Sequence, residues 1–196
     1  MKKTLAVILA VLMIFSLSAC SAFSSPEKTI GTFCEAIKSF DEEKMNECVA
    51  GSESDAAGIA GDYEEYHDFF KDLASQLTYE ITDSETQGDK AEVKVKFTYP
   101  DLTQAAVEAS GEYMRKLLTE LFSNPDFDPS VFGDEMLGLI IEKAENQEAG
   151  TAEAEVIFTL SKTDGKWLIE TLPEEMDNIV SANITKTLDA LAERFN

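Results

Sequence analysis

Hydrophobic and polar residues follow two different periods along this chain, and the switches between them mark out the elements. Ile30, Phe33, Ile37 and Phe40 recur at helical spacing, with Ser25 placed as N-cap and Pro26 at the first helical position. Asp41 opens a second, short helix whose inner face is Met45, Cys48 and Val49. A Gly-, Ser- and Ala-rich loop covers 50–61, and Tyr63, Tyr66, Phe70, Leu73 and Leu77 then form an aromatic stripe at steps of three and four.

At Leu77 the period drops to two. Leu77, Tyr79 and Ile81 alternate with polar neighbours, Gln87-Gly88-Asp89 supplies a turn, and Ala91, Val93, Val95, Phe97 and Tyr99 alternate with Glu92, Lys94, Lys96 and Thr98. This is a hairpin with one dry and one wet face. Asp101 caps the next helix, whose inward stripe reads Leu102, Ala106, Ala109, Tyr113, Leu117 and Leu121 until Asn124-Pro125 stops it. A helix over 131–145 follows. A second hairpin comes from Ala152, Ala154, Val156, Phe158 and Leu160, the Asp164-Gly165 turn, and 166–170. Pro173 opens a last helix with one continuous stripe through Val180, Ile184, Leu188, Leu191 and Phe195. Strands grouped apart from helices predict an α+β fold: a curved antiparallel sheet of about four strands in two hairpins, packed against helices, with two helices inserted between the hairpins and a C-terminal helix.

Ahead of the periodic region lies a segment of another kind. Lys2 and Lys3 precede an apolar run over 4–17, too short for the ~20 residues that span a bilayer. Leu17-Ser18-Ala19-Cys20 then follows the aliphatic, small, small, Cys order of a lipoprotein cleavage and lipidation site. The expected organisation is a signal peptide over 1–19, a lipidated Cys20 with a linker to 25, and a single domain over 26–196. Two or more acyl chains at ~0.8 kcal/mol per buried CH₂ make stable anchoring. The expected location is the outer face of the cytoplasmic membrane, with the chain anchored by lipid rather than by a spanning helix.

Charge narrows the function classes. The chain has 16 Lys and Arg against 38 Asp and Glu, a net charge of −22, and losing Lys2 and Lys3 would make the mature chain more acidic still. Such a surface repels nucleic acid and anionic headgroups, so neither nucleic-acid binding nor adsorption of the whole body to a membrane is expected. Once Cys20 is assigned to the lipid, Cys34 and Cys48 remain. They are either a disulfide closing a loop of about 15 residues, worth ~3 kcal/mol, or two buried thiols. His67 is the single histidine; beside the aromatic stripe it reads as a packing or surface residue rather than a base. Asn124, Asp126, Asp128, Ser130 and Glu135 fall at positions one, three, five, seven and twelve of a calcium loop. Pro129 stands where that loop needs glycine, and turn and N-cap acids account better for the spacing. No metal site or cofactor is expected.

The opening Pro26-Glu27 helix running through Phe33, Ile37 and Phe40 to Asp41, the charged alternating strand after Gly88-Asp89, and the Asp164-Gly165-Lys166-Trp167 hairpin occur in an order that resembles the nuclear transport factor 2-like, or cystatin-like cone, superfamily. More narrowly, the chain resembles small lipoproteins of Gram-positive bacteria that carry such a domain. The resemblance implies a sheet wrapped on helices around a concave interior. Tyr79, Phe97, Tyr99, Phe158 and Trp167 are then the candidate lining for a small apolar ligand, or else simply packed core. A tethered binding or interaction module is the leading expectation. The first alternative is an isomerase-like enzyme with a buried acid in the cone. Glu92, Glu153 and Glu155 fall on the wet phase of their strands, and no nucleophile-elbow, zinc-protease, P-loop or dinucleotide signature is present, so no enzyme is expected. The second alternative is an accessory solute-binding lipoprotein of a transporter, for which the chain lacks two-lobed bulk.

Overall fold

The computed structural model describes residues 23–51, 66–124 and 133–193. Among these, four strands and seven helices make an α+β fold around an open antiparallel sheet. The helices are α1 (Pro26–Ser39), α2 (Glu42–Glu47), α3 (His67–Ser75), α4 (Thr103–Ser123), α5 (Gly133–Glu145), α6 (Glu175–Val180) and α7 (Ile184–Glu193). The strands are β1 (Thr78–Gln87), β2 (Lys90–Asp101), β3 (Gly150–Thr163) and β4 (Lys166–Ile169). The sheet order is β1-β2-β3-β4, so the inserted α4–α5 pair leaves the sheet and returns to the neighbouring position. No described helix is long and apolar enough to cross a membrane.

Local chemistry sets the boundaries. Ser25 caps α1 by accepting the Lys28 N–H at 3.4 Å, and Pro26 enters without losing a helical hydrogen bond. Asp41 caps α2 through the Lys44 N–H at 3.1 Å. The β3–β4 turn places both Asp164 and Gly165 at positive φ, 50° and 81°, as a two-residue turn with the twist of the flanking strands requires.

Two separate cores result. The first lies between the sheet and α1, α2 and α6, and holds Phe33, Ile37, Met45, Val93, Val95, Phe97, Val156, Phe158, Leu160 and Met176. Every predicted inward position of β2 from Ala91 to Tyr99 is buried in it. The second core is helical: Leu73 of α3, Ala105, Ala106 and Ala109 of α4, Leu139 and Ile140 of α5, and Ile184 of α7. The aromatic stripe read through Leu77 is divided between them, because α3 ends at Ser75 and Leu77 turns into the first core; Tyr63 lies outside the described residues.

One expectation is corrected. The terminal helix is not continuous: Ala182 and Asn183 take φ of 50° and 64°, and separate α6 from α7. The break is held from outside, since the Leu102 N–H donates to the Ala182 carbonyl at 2.9 Å and the Tyr99 hydroxyl donates to Asn183 Oδ1 at 3.2 Å. Consequently α6 packs into the first core and α7 into the second. In β1 the alternation read from Leu77 to Ile81 holds, and beyond it a bulge between Ile81 and Asp83 shifts the phase. In an unbroken register Asp83, Glu85 and Gln87 would face inward. With the bulge, Ser84 and Thr86 oppose Val93 and Ala91 on the inner face, and the acids face water.

Candidate interaction surface

Four of the five aromatic candidates are buried in the packing, and Tyr79 is half-buried. Phe97 and Phe158 are fully buried; Phe158 meets Phe33 edge-on at 5.9 Å and Phe97 at 6.3 Å. Trp167 is buried, and its carbonyl accepts the Thr29 hydroxyl at 2.9 Å. Tyr99 is buried on Asn183. Tyr79 is half-buried, with its hydroxyl donating to the Gly31 carbonyl at 3.4 Å; burial, and then the nearby Cys34 and Glu35, push its phenol up to about 12. Three clefts on the described surface have volumes of about 360, 640 and 280 Å³, and none is lined by these five residues. The first lies among Glu85, Lys90, Glu92 and Glu170, the second among Glu112, Arg115, Lys116 and Glu135. Both are charged clefts, unlike the apolar pockets that hold drug-sized ligands.

The other candidates are equally specific in their places. Cys20 lies outside the described residues. Cys34 and Cys48 are free thiols, both fully buried in the first core. Burial raises both; Cys48 is pushed up to about 12, with Glu47 adding to the effect. His67 opens α3, stands edge-on to the Phe40 ring at 5.0 Å, and has Nδ1 3.5 Å from an Asp68 carboxylate oxygen. Asn124 follows α4 and Glu135 lies in α5, while Asp126, Asp128 and Ser130 lie outside the described residues. The strand acids Glu92, Glu153 and Glu155 are exposed on the outer face, where Lys94 pairs with Glu155 at 3.3 Å and Lys96 with Glu153 at 2.9 Å. Among the described residues, the buried polar side chains are Thr29, Asn183 and Thr187, with no carboxylate among them.

The feature missed in the sequence is on α4. Its Ala105, Ala106 and Ala109 face the second core, and Val107, Met114, Leu118, Leu121 and Phe122 lie on the opposite side, exposed. At 100° per residue these five fall within a stripe of about 100°, and Phe122 is 89% exposed. The inward reading failed at Leu121 for a geometric reason. Three successive steps of four, from Ala109 through Tyr113 and Leu117 to Leu121, each advance the stripe by about 40°, so its end has rotated out of the second core. The signal was present in the sequence as a second apolar set at spacings of seven, four and three. Glu112 on the α5 side takes Lys143 at 2.6 Å, which fixes how α4 is rolled and so which face stays open.

No protein-family model matches the chain, and no curated protein matches its sequence. A structural comparison finds similarity to the Bacillus subtilis protein YcdA, provisionally described as a lipoprotein, at 14% identity and a TM-score of 0.45. The match covers 85% of this chain and 57% of that one, so the chain spans little more than half the length of that protein.

Proposed function

We propose that this chain is an extracytoplasmic lipoprotein, held by lipid on Cys20, whose domain is a protein-interaction module rather than an enzyme or a small-molecule carrier. The anchor is supported by the Leu17-Ser18-Ala19-Cys20 sequence behind a short apolar run and two lysines. The observation that carries the interaction reading is the exposed α4 stripe, because five large apolar side chains on one solvent-facing helical face are what a partner covers. A protein is the best-fitting occupant. The helix carries Glu108, Glu112 and Glu120 against Arg115 and Lys116, so what opposes an anionic lipid surface or a second copy is the charge of the whole chain, −22 over the full sequence and more negative once Lys2 and Lys3 are gone. A neutral or basic partner with an apolar helix or strand face meets neither obstacle.

A photo-crosslinking amino acid at Leu118, in the chain made in its own bacterial host, tests this. The expected result is one discrete adduct with another protein, lost when Met114→Glu and Phe122→Glu are added, and absent when the probe is moved to Thr159 on the outer sheet face. No adduct at Leu118, or only an adduct of twice the chain mass, contradicts it.

A further inference from the structure

Resting on the lipid-anchor reading, a second surface can be assigned at the end of the domain that carries Phe23. Phe23, ahead of the expected domain start at Pro26, packs against the first core, and its carbonyl accepts the Trp167 N–H at 3.1 Å. Only residues 21 and 22 then separate Cys20 from the docked chain, a reach of at most about 11 Å. Whatever surrounds Phe23 is therefore held at headgroup height.

That end of the sheet is made by the two hairpin turns, tied together where the Lys162 N–H donates to the Asp89 carbonyl at 2.9 Å. Its charge differs from the rest of the molecule. Lys28, Lys90, Lys162 and Lys166 stand there against Glu27, Asp89, Asp164 and Glu170, and Glu85 and Glu92 line the adjoining cleft beside Lys90. In the chain from Cys20 onward, which lacks Lys2 and Lys3, setting these four lysines and four acids aside leaves 10 basic residues against 34 acidic ones elsewhere. The lysines also differ in pairing. Lys38, Lys44, Lys94, Lys96, Lys116 and Lys143 each have a carboxylate partner, as does Lys90 through Glu170. Lys28, Lys71, Lys162, Lys166 and Lys186 have none among the described residues, and three of these five stand at this end. Lys166 Nζ lies over the Phe23 ring at 5.6 Å, Lys162 Nζ over the Trp167 ring at 5.7 Å, and Lys28 Nζ is 3.1 Å from Ser24 Oγ.

We propose that this end, with Lys28, Lys162 and Lys166 around Phe23, rests on the anionic headgroups of the bilayer that holds the anchor, and so orients the domain. Unpaired lysines beside aromatic rings suit a headgroup layer, and the acidic remainder is repelled from it. The two effects act in the same direction, so the lipid fixes distance while the charge asymmetry fixes attitude. Because β2 runs from Lys90 at this end to Asp101 at the other, α4 starts at the membrane-distal end.

Trp167 is the chain's single tryptophan and a native reporter of this end. The chain beginning at Cys20 is coupled through that thiol to a maleimide phospholipid, which removes any dependence on acylation in the cell. It is placed in vesicles containing phosphatidylglycerol and a nitroxide-headgroup phospholipid. The expected result is quenching of Trp167 by about twofold, lost in 1 M salt, lost in purely zwitterionic vesicles, and lost in the Lys28→Glu, Lys162→Glu, Lys166→Glu variant. Equal quenching in the parent and the triple variant, or none in either, overturns the proposal. Acylation of Cys20 is read separately by mass, so failure of the anchor reading is distinguishable from failure of this one.

Discussion

The Tyr99 hydroxyl donates to Asn183 Oδ1 at 3.2 Å, across 84 positions of sequence, and this buried bond joins the two cores. Tyr99 belongs to the sheet core, and the residues flanking Asn183, Ala182 and Ile184, belong to the helical one. Asn183 also hydrogen-bonds to Asp101. Burial works to raise the Asp101 carboxyl, but hydrogen bonds from the Thr103 hydroxyl and N–H, and from Asn183, outweigh it and hold the group below the usual range. Tyr99→Phe leaves a buried amide oxygen short of its donor and is expected to cost about 1–2 kcal/mol in chemical denaturation. Asn183→Ala is expected to cost more, because it also puts a side chain poorly suited to it at φ 64°. Equal stability of Tyr99→Phe and the parent would show that the joint is made elsewhere.

The bulge at Thr82 gives a prediction about deletions. Because Thr82 and Asp83 together oppose Lys94, removing Thr82 leaves a regular ladder with the same inner residues. Its melting temperature is expected to change by less than about 4 °C. Removing Ser84 forces a carboxylate inward in either register, Glu85 if the bulge stays and Asp83 if it is lost. That deletion is expected to cost at least about 2 kcal/mol, or some 4–8 °C for a chain of this size. Similar melting temperatures for the two deletions would contradict the phase argument.

Glu27 receives the Ser84 hydroxyl at 2.5 Å, and that bond, helped by the backbone and Ser25, holds its carboxyl below the ordinary value. A carboxylate lowered on folding contributes stability that is present above the unfolded value and is lost as pH falls through the folded one. Ser84→Ala is therefore expected to be less stable than the parent by about 1 kcal/mol at pH 7, with the difference fading towards pH 3. Urea titrations at the two pH values check it, and a constant difference would mean that Ser84 acts through packing alone.

Cys34 and Cys48 are buried thiols kept protonated by their surroundings. In a Cys20→Ser chain at pH 8, Ellman's reagent is expected to find no reactive thiol in the native state and two after guanidinium unfolding. Zero in both states would show a disulfide.

Much of the fold was legible because strand alternation is strict where both faces are well defined. Ala91 to Tyr99 and Ala152 to Leu160 face as their pattern requires, and Asp164-Gly165 makes its expected turn. Three features were hidden for separate reasons. Beyond Ile81, β1 reads Thr-Asp-Ser-Glu-Thr-Gln, with no apolar residue to reveal a shifted phase. Val180 and Ile184 sit four apart, so the stripe runs on through a break that only tertiary contacts to Tyr99 and Leu102 impose. On α4 the apolar residues occupy two faces, and helical spacing alone does not say which meets the core. The concave lining drawn from the cone resemblance met the opposite fate, since the aromatic rings that would border a cavity pack on one another and on Phe33.

The anchor underlies the whole account, and it is read most directly by the mass of the N-terminal peptide of the protein extracted from host membranes. The account predicts a peptide beginning at Cys20 with the added mass of a diacylglyceryl group on its thiol. A peptide beginning at Met1, or one carrying an unmodified Cys20, contradicts it.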